Sequence, residues 1–171
     1  DSSYITGSTN LLTGAVLEYI ANADGTIENV NGSGIINKSG TETLTFDVGE
    51  NTFSGEANVN AGTMNVIGNS QSSIDFDMNV NDGMLVYNAK AGSAITIDDK
   101  LTFGSGANNA TIELNNSTYT YTNEIANALG NNVIFKDSTL LLGATGYNSN
   151  YTLDNTNLNL QDNILQTYTF N

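Results

Sequence analysis

Cysteine, histidine, arginine, proline and tryptophan are all missing from this chain. Without Cys there can be no disulfide and no thiolate metal site, a composition that suits secreted bacterial proteins kept unfolded before export. Without His, Cys or Arg the common nucleophilic triads, a zinc centre and an arginine clamp on phosphate are closed. Cations are scarce too: 4 basic residues stand against 18 acidic ones, for a net charge of −14. So few cannot neutralise the phosphates of a nucleic acid, and the same field repels an anionic membrane surface. No apolar run approaches the roughly 18 residues of a spanning helix. Neither nucleic-acid binding nor membrane insertion of this segment is expected.

What is present is strand. A chain of 171 residues with 39% hydrophobic content fills one core, so a single domain over 1–171 is expected, as a piece of a longer secreted protein. Apolar residues keep period two, as in Ile74, Phe76, Met78 and Val80 with Asp75, Asp77 and Asn79 between them, or Leu158 and Leu160 around Asn159. The runs are short and punctuated by Gly and Asn, which tolerate the left-handed backbone of tight corners. Stacked Asn side chains also form hydrogen-bonded ladders.

Two loose repeats set the architecture. VNAGTMNV from Val59 is followed by VNDGMLVY from Val80, about 21 residues on. LNNSTYTY from Leu114, FKDSTLLL from Phe135 and LDNTNLNL from Leu153 share a second pattern, spaced by about 21 and then about 18 residues. Gly62, Gly83 and Gly104 recur in the same frame. Three short strands and three corners use that many residues, which predicts an all-β, right-handed parallel β-helix with about 18–22 residues per coil. An antiparallel sandwich is the structural rival. Val59, Met64, Val66, Ile74, Phe76, Leu140, Leu142, Leu158 and Leu160 are expected to point inward. Residues 1–36 read as irregular first coils or a cap over an open end. A short helix is expected near 123–129: Ile125, Ala128 and Leu129 have helical spacing, Thr122 or Asn123 is placed to cap it and Gly130 to end it.

The stretch GTETLTFDVGENTFSGEANVNAGTMNV, Gly40 to Val66, resembles the autotransporter-associated β-strand repeat, or passenger-associated transport repeat, of large bacterial surface proteins. Thr43, Leu44 and Thr45 match its first strand; Gly49, Asn51, Thr52, Phe53, Ser54 and Gly55 its central corner; Val59, Ala61, Gly62, Thr63, Met64 and Val66 its closing strand. Phe53 stands where Tyr is common, Met64 where Leu is common, and Glu56 replaces a frequent second Gly. The match spans about a sixth of the chain. The resemblance implies a secreted or surface-displayed β-helix, often part of an adhesin, and brings no catalytic residues.

Site chemistry therefore falls to carboxylates, amides and tyrosines. Asp75 and Asp77 share one strand face at about 7 Å, within reach of glycosidase geometry, but alternate acids are also what any solvated strand face carries. Asp77, Asn79, Asn81 and Asp82 supply calcium-type oxygens in a short span, without the Gly and closing Glu of an EF-hand, so a diffuse acidic face is the competing reading. Tyr147 and Tyr151 lie between rungs and are candidates for a ligand-stacking surface, whereas Tyr119 and Tyr121 align with Leu140 and Leu142 and belong to the core. No catalytic residue and no cofactor is expected. The functional expectation is a non-enzymatic extracellular scaffold or adhesin segment, secreted or on the bacterial cell surface, whose partners are host-cell or neighbouring-cell surface molecules, protein or glycan. A self-assembling filament or surface-layer subunit is the alternative, and a polysaccharide-acting enzyme the third.

Overall fold

The computed structural model describes residues 3–5, 7–47, 53–69, 76–89, 91–97, 100–121, 125–142 and 150–160. Among the described residues nineteen strands, numbered in chain order, stack in parallel as a β-solenoid. The longest sheet has eight: β1 (Ser3–Ile5), β4 (Gly25–Glu28), β7 (Thr43–Asp47), β9 (Thr63–Asn69), β11 (Met84–Ala89), β14 (Thr111–Asn115), β16 (Asn132–Lys136) and β18 (Asn150–Asp154). A second wall has five: β3 (Val16–Ile20), β6 (Ile35–Ser39), β8 (Glu56–Val59), β10 (Asp77–Val80) and β13 (Leu101–Phe103). The remaining strands follow members of the long sheet in the chain: a pair, β2 (Thr9–Leu11) and β5 (Val30–Gly32), and further along a four-stranded sheet, β12 (Ala94–Ile97), β15 (Thr118–Tyr121), β17 (Thr139–Leu142) and β19 (Asn157–Leu160). The stack makes about six turns, and in β1–β3, β4–β6 and β11–β13 a turn contributes one strand to each of three sheets.

Period two makes each wall. In β7 Leu44 and Phe46 are buried while Thr43, Thr45 and Asp47 face outward, and register stacks like on like: Ile27, Phe46, Val66, Tyr87, Leu114 and Phe135 form one buried column. Phe46, Phe53 and Phe76 meet edge to face, with centroids 5.3–5.7 Å apart. Of the residues expected to point inward, Val59, Met64, Val66, Phe76 and Leu140 are buried and Leu158 packs against the core. Ile74 and the side chains of Leu142 and Leu160 lie outside the described residues.

The second repeat stacks in the expected register, Leu114 on Phe135 on Leu153 and Tyr119 on Leu140 on Leu158. Its third position, Asn116, Asp137 and Asn155, takes the left-handed conformation at every rung, with φ of 64, 49 and 46°. Its fourth position fastens the corner: Ser138 Oγ donates to Lys136 O at 2.6 Å and Thr156 Oγ1 to Phe135 O at 2.8 Å. Short polar side chains are selected here because they tolerate that backbone and satisfy corner carbonyls.

Three expectations need correction. Stacked side chains lie 19 residues apart from Glu18 to Asn37, 21 from Asn37 to Asn58 and again to Asn79, and 18 from Asp137 to Asn155, but the step from Asn88 to Asn115 takes 27. That longer turn carries the extra loop between β13 and β14. Gly104 accordingly leaves the glycine frame: its N–H donates to Val80 O at 2.9 Å, whereas Gly83 is followed in the stack by Thr111. The helix near 123–129 is also absent from the described residues. Ala126 bridges Thr102 in parallel, Asn127 turns left-handed at φ 58°, and Ile125 and Ala128 enter the core while Leu129 stays 79% exposed. Finally, the segment expected as irregular coils or a cap forms β1 to β6, paired in register like the rungs that follow.

Candidate functional site

The outer face of the five-stranded wall gathers most of the candidate residues. Register sets Glu18, Asn37, Asn58, Asn79 and Thr102 in one outward column, one residue per rung. Their side chains form a continuous hydrogen-bonded ladder: Asn37 Nδ2 donates to Glu18 Oε1 (2.5 Å), Asn58 Nδ2 to Asn37 Oδ1 (3.0 Å), Asn79 Nδ2 to Asn58 Oδ1 (3.3 Å) and Thr102 Oγ1 to Asn79 Oδ1 (3.1 Å). Every donor points toward the N-terminal rung, so the ladder has a direction and ends on a carboxylate. Shorter ladders join Asn60 to Asn81 and run from Asn65 through Asn88 to Asn115.

A neighbouring outward column reads Val16, Ile35, Glu56, Asp77, with Lys100 following as an ion pair 3.7 Å from Asp77. Between the two columns lies a solvent-open groove of about 380 Å³, walled by Glu56, Asp77 and Lys100, floored by Asn79 and Thr102 and closed by Asn127, whose Nδ2 donates to Phe103 O at 2.7 Å. The Asp77 carboxylate is 65% exposed, so its pairing with Lys100 is worth at most about 1 kcal/mol. Chemically the groove offers donors and acceptors of both signs to a hydroxyl-rich or peptide ligand.

The calcium candidates are all nearby but do not converge. Asp77 faces Lys100; Asn79 and Asn81 are committed to their ladders and to each other, Asn79 Nδ2 donating to Asn81 Oδ1 at 3.3 Å; Asp82 Oδ1 accepts from the Gly83 N–H at 2.8 Å. Among the described residues no three acidic side chains come together as a metal cluster. Asp75 lies outside the described residues, as does Tyr147. Tyr151 sits within β18, half-buried and packed against the core, not between rungs as its position in the sequence suggested. Tyr119 is fully buried and its hydroxyl donates to Asn115 O at 2.8 Å, while burial pushes its pKa far above the usual value.

One group escaped the sequence reading. Lys38 is fully buried in β6 and its ammonium donates to the carbonyls of Gly40 (2.7 Å) and Ala61 (2.6 Å), tying two successive corners together. Burial lowers its pKa below 10.5, partly opposed by Glu42. The signal was present: Ile36 and Lys38 are two apart in an alternating strand, so both must point inward.

No protein-family model matches the chain, and no curated protein or solved structure matches it significantly.

Proposed function

We propose that the chain is a non-enzymatic extracellular scaffold or adhesin segment of an autotransporter-type bacterial surface protein, secreted or displayed on the cell surface. One observation supports this reading above others. The stretch that resembles the passenger repeat coincides with a unit of the stack: β7 begins it, Phe53 bridges to Gly32, β8 follows, and β9 closes one rung above β7. The motif is thus a unit of elongation, and a chain that adds such units grows in length without building an enclosed site. The groove beside Asp77 is the surface this reading assigns to a protein or glycan on another cell.

The test separates holding from turnover. Purified protein is assayed for retention on host cells and on immobilised polysaccharides, with Glu56→Gln and Asp77→Asn beside the wild type, and the supernatant is assayed for released reducing ends. Retention without release supports a binding scaffold. Release that is lost in the two carboxylate variants overturns it in favour of a polysaccharide-acting enzyme. Light scattering that rises with concentration, with ordered fibres under the microscope, would place the filament reading first.

A further inference from the structure

The groove beside Asp77 lies where the repeat is broken. The step from Asn88 to Asn115 takes 27 residues, where Asn37 to Asn58 and Asn58 to Asn79 each take 21. The extra loop at 104–110 and the corner at 126–131 that stacks on it contribute Ser105 and Asn127 to the lining. Insertions in a solenoid gather on the face that binds. This pair of loops is firmly held. Asn131, fully buried, accepts from the Ala110 N–H at 2.9 Å and donates to Ala107 O and Asn127 O at 3.2 and 2.9 Å, and the Asn109 N–H donates to Gly130 O at 3.0 Å. The lining is therefore in place before a ligand arrives.

Backbone groups at the groove are already committed. The Phe103 N–H donates to Ala126 O at 2.9 Å and Phe103 O accepts from Asn127 Nδ2 at 2.7 Å. The Gly104 N–H donates to Val80 O and Gly104 O accepts from the Ala107 N–H, both at 2.9 Å. An extended peptide adds to a sheet through main-chain bonds, and Phe103 and Gly104 offer it none. A ligand here is held by side chains, and the amides and hydroxyls of Asn79, Thr102, Ser105 and Asn127 suit the hydroxyls of a sugar.

Charge narrows the sugar further. Glu56 and Asp77 are register partners on adjacent rungs, about 4.8 Å apart and close to the length of one pyranose unit. Asp77 shares Lys100, whereas no partner of the Glu56 carboxylate lies among the described residues. With a net charge of −14 behind them, the two carboxylates repel uronates and sulfated sugars, and a protonated amine pairs with them. We propose that the groove binds an amine-bearing glycan, a chain of hexosamine units with free amino groups. Its ammonium groups pair with Glu56 and Asp77, and its hydroxyls bond to Thr102, Ser105 and Asn127. The inference rests on the binding reading of this groove and names the chemistry of its ligand.

A hexamer of β-1,4-linked glucosamine, its fully N-acetylated counterpart and hexalysine are titrated into the full chain by calorimetry, in mildly acidic buffer that keeps the sugar amines protonated, and backbone amide shifts are followed by NMR. The glucosamine hexamer is expected to bind at least about tenfold more tightly than the acetylated one, and Glu56→Gln and Asp77→Asn should each weaken it about fivefold or more. Glu28→Gln, the same charge change at an exposed position of the long sheet, should leave it intact; unchanged thermal unfolding of each variant confirms its fold. Amide shifts should move at Thr102, Ser105 and Asn127. An equal loss in Glu28→Gln would mean diffuse attraction between charges, and hexalysine bound as tightly with the same dependence on Glu56 would mean a site for basic peptide; either overturns the proposal. Equal binding of the acetylated hexamer, with shifts at the same three residues, overturns the amine and leaves the groove a glycan site. No shift there with any of the three overturns the proposal and the binding reading of the groove together.

Discussion

Asn58 is the residue at which the amide ladder is best tested, because it occupies the middle rung and both donates and accepts. Its Nδ2 donates to Asn37 Oδ1 at 3.0 Å and its Oδ1 accepts from Asn79 Nδ2 at 3.3 Å, in a part-buried column. Asn58→Ala removes both bonds; at about 0.5–1.5 kcal/mol net each, discounted for the longer one, the loss is about 1–2 kcal/mol. Asn58→Asp is nearly isosteric but should cost more, about 2–3 kcal/mol at neutral pH. It keeps the acceptor for Asn79, yet turns a carboxylate oxygen against Asn37 Oδ1, so a bond becomes a repulsion. In a chain of this size 1 kcal/mol moves the melting temperature by roughly 2–4 °C, well within the reach of calorimetry or circular dichroism. The pH dependence carries the same logic. The fold disfavours the charged form of the new carboxyl, so its pKa is raised, and the stability it contributes when protonated is lost as pH rises through that value. The deficit of Asn58→Asp relative to wild type should therefore shrink in acid. Asn65→Asp is the control: Asn65 accepts from Asn88 Nδ2 at 2.6 Å, a role a carboxylate fills, so little change is expected. If Asp at 58 is no worse than Ala, or Asp at 65 costs as much as Asp at 58, the ladder has no direction and the reasoning fails.

Val66→Asp places an unpaired carboxylate where the side chain is 1% exposed, and urea unfolding should report a loss of about 4 kcal/mol; near-wild-type stability would contradict the inward assignment. Gly83→Ala combines a left-handed backbone, φ 88°, with a Cβ only 2.2 Å from Gly62 O, so a loss above about 2 kcal/mol is expected, against almost none for Gly106→Ala, which faces open space. In alkali two groups oppose each other. The pKa of Lys38 is lowered, so the unfolded chain holds the extra proton and stability rises with pH toward 10.5; that of Tyr119 is raised, so stability falls once pH passes the ordinary tyrosine value of 10.0. Lys38→Met should erase the rising limb alone in a series of melting curves. Calcium and sodium at matched ionic strength should raise the melting temperature equally, by screening; an excess with calcium that Asp77→Ala removes would restore the ion site at Asp77, Asn79, Asn81 and Asp82.

Much of the fold is legible because a solenoid repeats its physics. Period two gives each wall, and the recurrence of Leu114, Phe135 and Leu153 gives the register, since a slip by one residue would turn every side chain to the other face. Where reading failed, local spacing was ambiguous. Ile125, Ala128 and Leu129 are three and four apart, as on a helix, but a corner whose Asn127 turns left-handed produces the same interval. Gly104 was misframed because one turn is longer than its neighbours, and a count from Gly83 cannot see that the extra residues lie between β13 and β14. Lys38 needed only trust in alternation against the habit of placing lysine outside.

The candidate site was the least legible part, and geometry says why. Asp77, Asn79, Asn81 and Asp82 look like a cluster because they are close in sequence, yet β10 is extended, and at about 3.3 Å per residue its three steps set Asp77 roughly 10 Å from the corner at which Asn81 and Asp82 begin. No single ion spans that. Proximity in this fold runs mainly across the rungs, at about 4.8 Å per step, so the neighbours of Asp77 are Glu56 and Lys100, and Asn79 bonds to Asn58 and Thr102 across the rungs as well as to Asn81 beside it. Constellations must be sought at intervals of one turn as well as of two residues. Searched that way, the chain yields a directional amide column running to Glu18 and a groove of mixed charge at its other end, neither of which any one short stretch of the sequence displays.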